Sequence, residues 1–157
     1  MNDSLPLLDL AAAKRLVAQW HRNRLTVGWT NGCFDVLHPG HVQMLAFARA
    51  HCDRLIVGIN SDVSVRRLKG VGRPYHTLSQ RALVLGSIRS VDAVVEIRHD
   101  APVLEVMTLR PDLAVKDDSY LTLPVPERAP LERSGGRMLF FPRVEGCSTT
   151  AILRDRG

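Results

Sequence analysis

The sequence predicts an α/β fold, a doubly wound five-stranded parallel sheet. Stretches with helical spacing alternate with short apolar runs of strand length, and this alternation is typical of parallel strands joined by helices. The run Arg54–Asn60 (RLIVGIN) is almost wholly apolar, which indicates a strand buried on both faces. The chain has 157 residues, enough for one domain of ordinary size but not comfortably for two.

Helices and strands alternate along the first half of the chain. Residues 9–22 place apolar side chains on one helical face, and Asp9 is suited to cap that helix. Pro39 suits the first turn of the second helix, and Thr77 and Gln80 have the spacing of a capping box. The predicted elements are helix 9–22, strand 25–30, helix 40–52, strand 54–60, helix 61–68, a glycine-containing loop 69–76 and a helix from 77 to 89.

The second half continues the alternation around a long loop. Residues 117–135 hold three prolines, which favours a loop, with room for a short helix before Gly135. The other predicted elements are strand 93–97, helix 100–109, strand 113–116, strand 137–142 and a closing helix 148–155. We expect residues 1–24 to be an N-terminal helical extension laid on a domain formed by residues 25–157.

Composition excludes several classes of protein. Apolar residues make up 45% and charged residues 24%, which is typical of a globular protein and not of a disordered chain. The formal charge of +5 favours anionic partners, but aromatic residues reach only 5%, which leaves little material for stacking nucleic-acid bases. We therefore expect no nucleic-acid partner.

The sequence also bears on location. No apolar run approaches the roughly 18 residues that a membrane-spanning helix needs, and residues 1–4 do not begin a secretory signal. Cys33, Cys52 and Cys147 form an odd and scattered set, which fits free thiols in a reducing compartment. We expect a cytoplasmic protein with no membrane partner, and no chemistry at these cysteines.

Polar segments follow four of the predicted strands. In an open parallel sheet, ligands bind in the crevice beyond the carboxyl ends of the strands. The segments that meet there are residues 31–41, 60–62, 116–120 and 143–150. Their convergence predicts a ligand site more strongly than any one of them does.

The segment His38-Pro39-Gly40-His41 opens a predicted helix. Two imidazoles three residues apart lie on one face of its first turn, where free N–H groups and the positive end of the helix dipole attract anions. Gly40 allows a ligand to approach the backbone closely. The spacing favours a phosphate cradle. A metal pair, for which only Cys33 offers a third ligand, and two structural histidines are the alternatives.

These segments resemble the H-x-G-H nucleotidyltransferase superfamily, which is cytidylyltransferase-like. Within it, they are most similar to the adenylyltransferases that make ADP-heptose from heptose 1-phosphate, and the glycerol 3-phosphate cytidylyltransferases share much of the frame. The matching segments are 30–41, 60–62, 67–70, 73–74, 80–81, 91–92, 110–112 and 145–150.

The resemblance implies a Rossmann-like nucleotidyltransferase domain at residues 25–157. Its reaction transfers a nucleotidyl group to a phosphorylated acceptor, and pyrophosphate leaves. Because the acceptor phosphate is already anionic, catalysis needs positioning and stabilisation of charge on the α-phosphate. Mg²⁺ would be carried by the triphosphate, with no dedicated metal-ligating side chains expected. The family often forms dimers, so a homodimer is expected by this analogy alone.

The resemblance also implies roles for individual residues. Catalytic roles fall on His38, His41 and Lys69, and acceptor-binding roles on Asp35, Asn60, Lys69 and Arg81. The implied nucleotide-binding residues are Thr30, Asn31, Gly32, Cys33, Phe34, Asp35, Gly40, His41, Lys116, Asp118, Arg143, Gly146, Ser148, Thr149 and Thr150.

Some of these roles have simpler alternatives. Lys69 lies in a basic, glycine-flanked stretch that is either a mobile flap over the substrates or a solvated surface. Arg81 lies in the first turn of a helix, where a cation opposes the helix dipole, and this favours an anionic partner. Ser148 is either a phosphate contact or an ordinary helix N-cap, and both roles are compatible.

One loop departs from the heptose branch. Where that branch usually reads Lys-Gly-Gly-Asp-Tyr, this chain has Lys116-Asp117-Asp118-Ser119-Tyr120. Two aspartates replace conformational freedom with bulk and negative charge, in a loop expected near the base and ribose. The choice between ATP and CTP and the identity of the acceptor therefore stay open.

The first hypothesis is an adenylyltransferase that uses ATP and a sugar 1-phosphate, most simply heptose 1-phosphate in lipopolysaccharide synthesis. The alternative is a cytidylyltransferase acting on glycerol 3-phosphate, another sugar phosphate or a phosphonate. A non-catalytic nucleotide-binding or nucleic-acid-binding module is a third hypothesis, which the net charge motivates. A dinucleotide-dependent dehydrogenase is disfavoured because no G-x-G-x-x-G follows the first strand.

Overall fold

Six parallel strands form a single sheet in the computed structural model, which describes residues 5–143. Along the sheet the strands lie in the order β1-β4-β3-β2-β5-β6, and all the pairings are parallel. The strands are β1 (Leu7–Leu8), β2 (Val27–Gly32), β3 (Arg54–Asn60), β4 (Ala93–Ile97), β5 (Leu113–Asp117) and β6 (Arg137–Phe141).

The predicted count of five strands is wrong because the N-terminal extension contributes β1. Leu7 and Leu8 pair with Val94 and Val95 at the outer edge of β4. A two-residue strand has no periodicity of its own, so only the exposed edge of β4 can specify it. The extension is therefore not purely helical, and the domain boundary after residue 24 stays a prediction.

Six α-helices and one 3₁₀ turn connect the strands within residues 5–143. Asp9 caps the first helix by accepting from the backbone N–H of Ala12, and Thr77 and Gln80 cap each other's backbone, as predicted. The helices are α1 (Leu10–Arg22), α2 (Pro39–Ala50), α3 (Asp62–Lys69), α4 (Leu78–Gly86), α5 (Val103–Leu109) and α6 (Arg128–Arg133), and the 3₁₀ turn is Asp118–Leu121. The predicted closing helix 148–155 lies outside the described residues.

The helices cover both faces of the sheet, which confirms a doubly wound α/β architecture. Successive residues of β3 alternate between two apolar cores, so Ile56 packs on one face and Val57 on the other. Buried residues of α1, α5 and α6 complete the first core, and those of α2 and α4 complete the second. No helix in residues 5–143 combines the length and apolar character needed to cross a membrane.

The chain reverses direction across the sheet between β2 and β5. From β2 the chain continues through α2 to β3 on one side, whereas β5, on the other side, is reached later through α5. Backbone pairing between β2 and β5 stops at Trp29 and Ala114, and the Thr30 hydroxyl then donates to the Val115 carbonyl at 2.9 Å. The β2–β3 pairing continues to Gly32, so a crevice opens beside β2.

Replacement of Gly58 by Ala should destabilise the fold. A Cβ at Gly58 would lie 2.5 Å from Trp29 Cη2 and 2.6 Å from Ile97 Cδ1, both in a closely packed core. Overpacking of this kind lowers the free energy of unfolding by about 1–3 kcal/mol. Urea denaturation measures the effect. Lys14→Ala, on the exposed side of α1, is the control and should change little. A Gly58→Ala variant as stable as wild type would contradict this packing.

Candidate active site

A cleft of about 710 Å³ runs across the carboxyl ends of the strands from β4 to β6. It gathers most of the residues that the sequence singles out. The predicted site residues that line it are Thr30, Asn31, Gly32, Cys33, Phe34, Asp35, His38, Gly40, His41, Asn60, Lys69, Lys116 and Arg143. The predicted residues Gly146, Ser148, Thr149 and Thr150 lie outside the described residues.

Two predicted site residues are not among those lining the cleft. Asp118 is absent from its walls, whereas the preceding Asp117 lines it. Arg81 is 2% exposed and lies instead at a smaller pocket of about 230 Å³. Its guanidinium donates to the carbonyls of His76 and Cys33 and to Asp62 Oδ1, at 3.0, 2.6 and 2.6 Å. The anion that the sequence predicts beside Arg81 is thus supplied by the protein, and an acceptor-binding role stays a prediction.

His38 and His41 stack at the start of α2. Their ring centroids lie 3.8 Å apart with an interplanar angle of 27°, and the Phe34 ring packs 5.2 Å from His41. The connection from β2 to α2 passes through Phe34, which adopts φ of 47° although it is not glycine. Left-handed backbone at a buried aromatic residue is strained and persists only where the surroundings impose it. That connection fixes where α2 begins and therefore where the two imidazoles lie.

Both imidazoles are neutral at neutral pH. Burial, and secondarily the neighbouring His38, lowers the pKa of His41 to about 4, and burial lowers the pKa of His38 as well. His41 Nδ1 accepts from the backbone N–H of His38 at 3.3 Å. A neutral ring that accepts at Nδ1 carries its proton on Nε2. His41 is therefore a hydrogen-bond donor at Nε2, in the first turn of α2.

Asp35 anchors the loop that follows α3. Its Oδ2 accepts from Arg73 Nε, and its Oδ1 accepts from the backbone N–H groups of Tyr75 and His76 at 2.7 and 3.1 Å. Burial alone would raise the pKa of this carboxyl, but these hydrogen bonds outweigh it and hold the pKa below its usual value. Asp35 is 4% exposed. In this arrangement it positions the loop rather than presenting a free carboxylate to the cleft.

A buried ion pair closes the cleft on the side of β5. Lys116 Nζ lies 2.7 Å from Glu127 Oε1 and donates to Asn31 Oδ1 at 2.7 Å. The contact with Glu127 is a close ion pair rather than an aligned hydrogen bond. The ammonium also lies 5.0 Å from the centroid of the Tyr120 ring. The sequence predicts Lys116 here, but Glu127 and Tyr120 were not predicted as site residues.

Asp117 and Arg143 meet at the rim of the cleft. Arg143 Nη2 donates to Asp117 Oδ1 at 3.2 Å, and the backbone N–H of Ser119 donates to the same oxygen at 2.9 Å. Burial alone would raise the pKa of Asp117. Its hydrogen bonds with Ser119 and Arg143 outweigh this effect and hold the pKa below its usual value. Of the two aspartates that depart from the resembled pattern, Asp117 is the one that lines the cleft.

The opposite end of the cleft is formed by polar groups after β3 and β4. Asn60 Nδ2 donates to Ser64 Oγ at 3.0 Å and to the His99 carbonyl at 3.2 Å. Lys69, the last residue of α3, is exposed, and its ammonium has no partner among residues 5–143. Gly70 follows it with φ of 99°, a conformation that glycine adopts without strain. Within residues 5–143, Lys69 is thus a free cation at the end of α3, where the chain turns at Gly70.

Sequence reasoning missed several residues that line the cleft. They are Met44, Leu68, Arg73, Asp100, Ala101, Pro102, Asp117, Tyr120, Pro124, Val125, Pro126, Glu127 and Phe141. Asp117 and Tyr120 carried a signal, because they belong to the loop after the fourth predicted strand. Glu127 carried none, since it lies in a proline-containing loop and meets Lys116 only in the folded chain.

A histidine pair that opens a helix at the reversal point of a doubly wound sheet agrees with the H-x-G-H nucleotidyltransferases that the sequence resembles. The chain belongs to the cytidylyltransferase-like family, whose family model matches residues 29–154. This confirms the enzyme class that the sequence predicts.

Proteins of similar sequence support the same family assignment. The chain is 47% identical over 147 residues to the bifunctional protein HldE of Mesorhizobium japonicum, and 46% identical over 153 residues to that of Gluconacetobacter diazotrophicus. These matches cover 94% and 98% of this chain but only 30% and 32% of the relatives. The chain thus spans about a third of the length of these relatives.

Solved structures share the fold. A lipopolysaccharide core biosynthesis protein from Thermoplasma volcanium matches 76% of this chain and 97% of its own, with a TM-score of 0.59 and 18% identity. A pantoate-beta-alanine ligase from Francisella tularensis matches 97% of this chain and 73% of its own, with a TM-score of 0.63 and 12% identity. At these identities the likeness concerns the fold alone.

The depressed pKa of His41 should make stability depend on pH. Between the ordinary value of 6.5 and about 4, the unfolded chain binds a proton at residue 41 that the folded chain does not. Stability should therefore fall as the pH is lowered through this range. Urea denaturation at several pH values measures the slope, which should be shallower for His41→Asn. Equal slopes for wild type and His41→Asn would contradict the assignment.

Replacement of Asp35 by Asn should loosen the loop at residues 70–76. Asn has one acceptor oxygen where Asp has two, so it cannot accept from Arg73 and from the backbone N–H groups together. The free energy of unfolding should therefore fall by about 1–3 kcal/mol. Hydrogen exchange at the amides of Tyr75 and His76 should accelerate. Asp118→Asn is the matched control and should leave both quantities unchanged. Protected amides in Asp35→Asn would show that other contacts hold the loop.

Proposed function

We propose that the chain transfers an adenylyl group from ATP to a sugar 1-phosphate, most simply heptose 1-phosphate, giving an ADP-sugar and pyrophosphate. The observation that carries the proposal is the stacked pair His38 and His41, set in one cleft with the free cation Lys69 and with Arg143. These groups donate to anionic oxygens from several directions. Such an arrangement suits a reaction between two phosphorylated substrates.

In the proposed reaction an acceptor phosphate oxygen attacks the α-phosphorus of ATP. A new P–O bond forms, the bond to the β-phosphate oxygen breaks, and pyrophosphate carries away the electron pair. His41 Nε2–H would donate to the α-phosphate oxygens as charge builds on them, at the positive end of the α2 dipole. Because His41 is neutral, it donates without transferring its proton. Lys69 would reduce the repulsion between the two anionic substrates.

The choice of adenylyl and heptose rests on relatives and motifs. The motifs resemble the ADP-heptose branch, and the HldE proteins reach 47% identity to this chain. Because the chain matches only about a third of those relatives, the full activity of an HldE protein is not carried over to it.

Mg²⁺ belongs to this proposal as part of the substrate, Mg·ATP. No group of three or more His, Cys, Asp or Glu side chains in residues 5–143 could hold a metal ion. The donors around the cleft are mainly ammonium, guanidinium, imidazole and amide N–H groups, which bind phosphate oxygens rather than a bare cation. Triphosphate oxygens and water are the hard ligands that Mg²⁺ prefers.

The test is pyrophosphate release, with Mg²⁺ present, for ATP and CTP crossed against both anomers of heptose 1-phosphate and against glycerol 3-phosphate. Release with ATP and one heptose anomer is expected. His41→Ala should lower the rate by about 10²–10³-fold, because one donor to the transition state is lost. His51→Ala, at the far end of the same helix and outside the cleft, should leave it unchanged.

Two outcomes would overturn parts of this proposal. Release with CTP alone would replace the adenylyl assignment by a cytidylyl one. Full activity in a folded His41→Ala variant would exclude the histidine pair from the reaction.

A further inference from the structure

Glu127 is a buried carboxylate at the cleft that the proposed reaction does not use. It is 1% exposed, Lys116 is 7% exposed, and both line the cleft. Taking two charges out of water is unfavourable, and an apolar pair of similar size is often as stable. A buried pair beside a ligand site is therefore better explained by the geometry that it imposes than by stability.

The Lys116–Glu127 pair orients the side-chain amide of Asn31. Asn31 Oδ1 accepts from Lys116 Nζ at 2.7 Å and from the Trp29 indole N–H at 3.3 Å. Both partners can only donate, so the oxygen of the amide must face them. Asn31 Nδ2 has no hydrogen-bond partner among residues 5–143, and Asn31 lines the cleft.

The position of Asn31 makes this orientation useful. It is the penultimate residue of β2, beyond the point where pairing with β5 stops, and it precedes the histidine pair along the chain. An amide that turns its oxygen away from the cleft presents two N–H donors to an anionic ligand. An ammonium without a fixed partner would be free to leave Asn31, and only the longer contact with the Trp29 indole N–H would then hold the amide.

We propose that Glu127 is a positioning residue for nucleotide binding. It holds Lys116 against Asn31 Oδ1, and Lys116 in turn directs Asn31 Nδ2 into the cleft. Glu127 itself does not touch the ligand, since its Oε1 is inaccessible and faces Lys116. This role deepens the proposed function and rests on it.

The test is binding of Mg·ATP and Mg·CTP by calorimetry, without an acceptor, so that it does not depend on turnover. Glu127→Ala should weaken binding of the preferred nucleotide by about tenfold, the loss of roughly one charge-assisted contact. Glu127→Gln keeps an acceptor oxygen for Lys116 and should stay within about threefold of wild type. Glu105→Gln, a buried glutamate of α5 outside the cleft, is the matched control and should bind as wild type does.

A double-mutant cycle separates positioning from mere support of the fold. If Glu127 acts through Asn31, the variant Asn31→Ala/Glu127→Ala should bind no more weakly than Asn31→Ala alone. Should Glu127→Ala fail to fold, Lys116→Met/Glu127→Met replaces the pair by apolar groups of similar size. Adding Asn31→Ala to the Lys116→Met/Glu127→Met variant should then weaken nucleotide binding no further.

The outcomes are distinct. The positioning role is overturned if Asn31→Ala and Glu127→Ala lower the free energy of nucleotide binding additively. It is also overturned if Glu127→Ala binds the nucleotide as wild type does. Either result leaves the proposed function standing. A wild-type chain that binds neither nucleotide overturns the proposed function itself.

Discussion

The site depends on the point where β2 and β5 cease to pair. Two backbone pairs, at Gly28 and Trp29, join these strands, and beyond them side-chain hydrogen bonds bridge the two, from the Thr30 hydroxyl to the Val115 carbonyl and from Lys116 Nζ to Asn31 Oδ1. The chain leaves β2 through α2 toward β3 on one side, and later crosses back past β2 through α5 to reach β5 on the other side. Because nothing in the connectivity closes the gap between the two strand ends, side chains and ligands must fill it.

The charges around this gap are arranged unevenly. On the side of β5, Lys116 and Arg143 are each neutralised by a carboxylate of the protein, Glu127 and Asp117 respectively. On the side of β3, Lys69 has no ion-pair partner within the described residues 5–143. Between the two sides the imidazoles contribute N–H donors without charge. Among the described residues that line the cleft, the positive charge without a neutralising carboxylate therefore lies at the β3 end. We expect an anionic ligand to be attracted most strongly there.

Local patterns predicted the fold better than they predicted the site. β3 and β4 have the predicted bounds, because continuous apolar runs between polar residues define buried strands. β1 could not be found, since β4 supplies its pairing. The position of Arg81 in its helix predicted an anionic partner, but only the folded chain shows that Asp62 and two carbonyls contact its guanidinium. Contacts between segments far apart in the chain determine both the pairing of β1 and the partners of Arg81, and local sequence patterns do not contain them.

The short strand at the N-terminus has a consequence for handling the protein. Leu7 and Leu8 cover the outer edge of β4, and Leu5 N–H donates to the Gly86 carbonyl at 3.3 Å. That edge belongs to β4, a mostly apolar strand (Ala93–Ile97), and a bare strand edge pairs readily with the edges of other molecules. An affinity tag fused directly before Leu5 would pull on this cover, and molecules that lose it would associate edge to edge and aggregate.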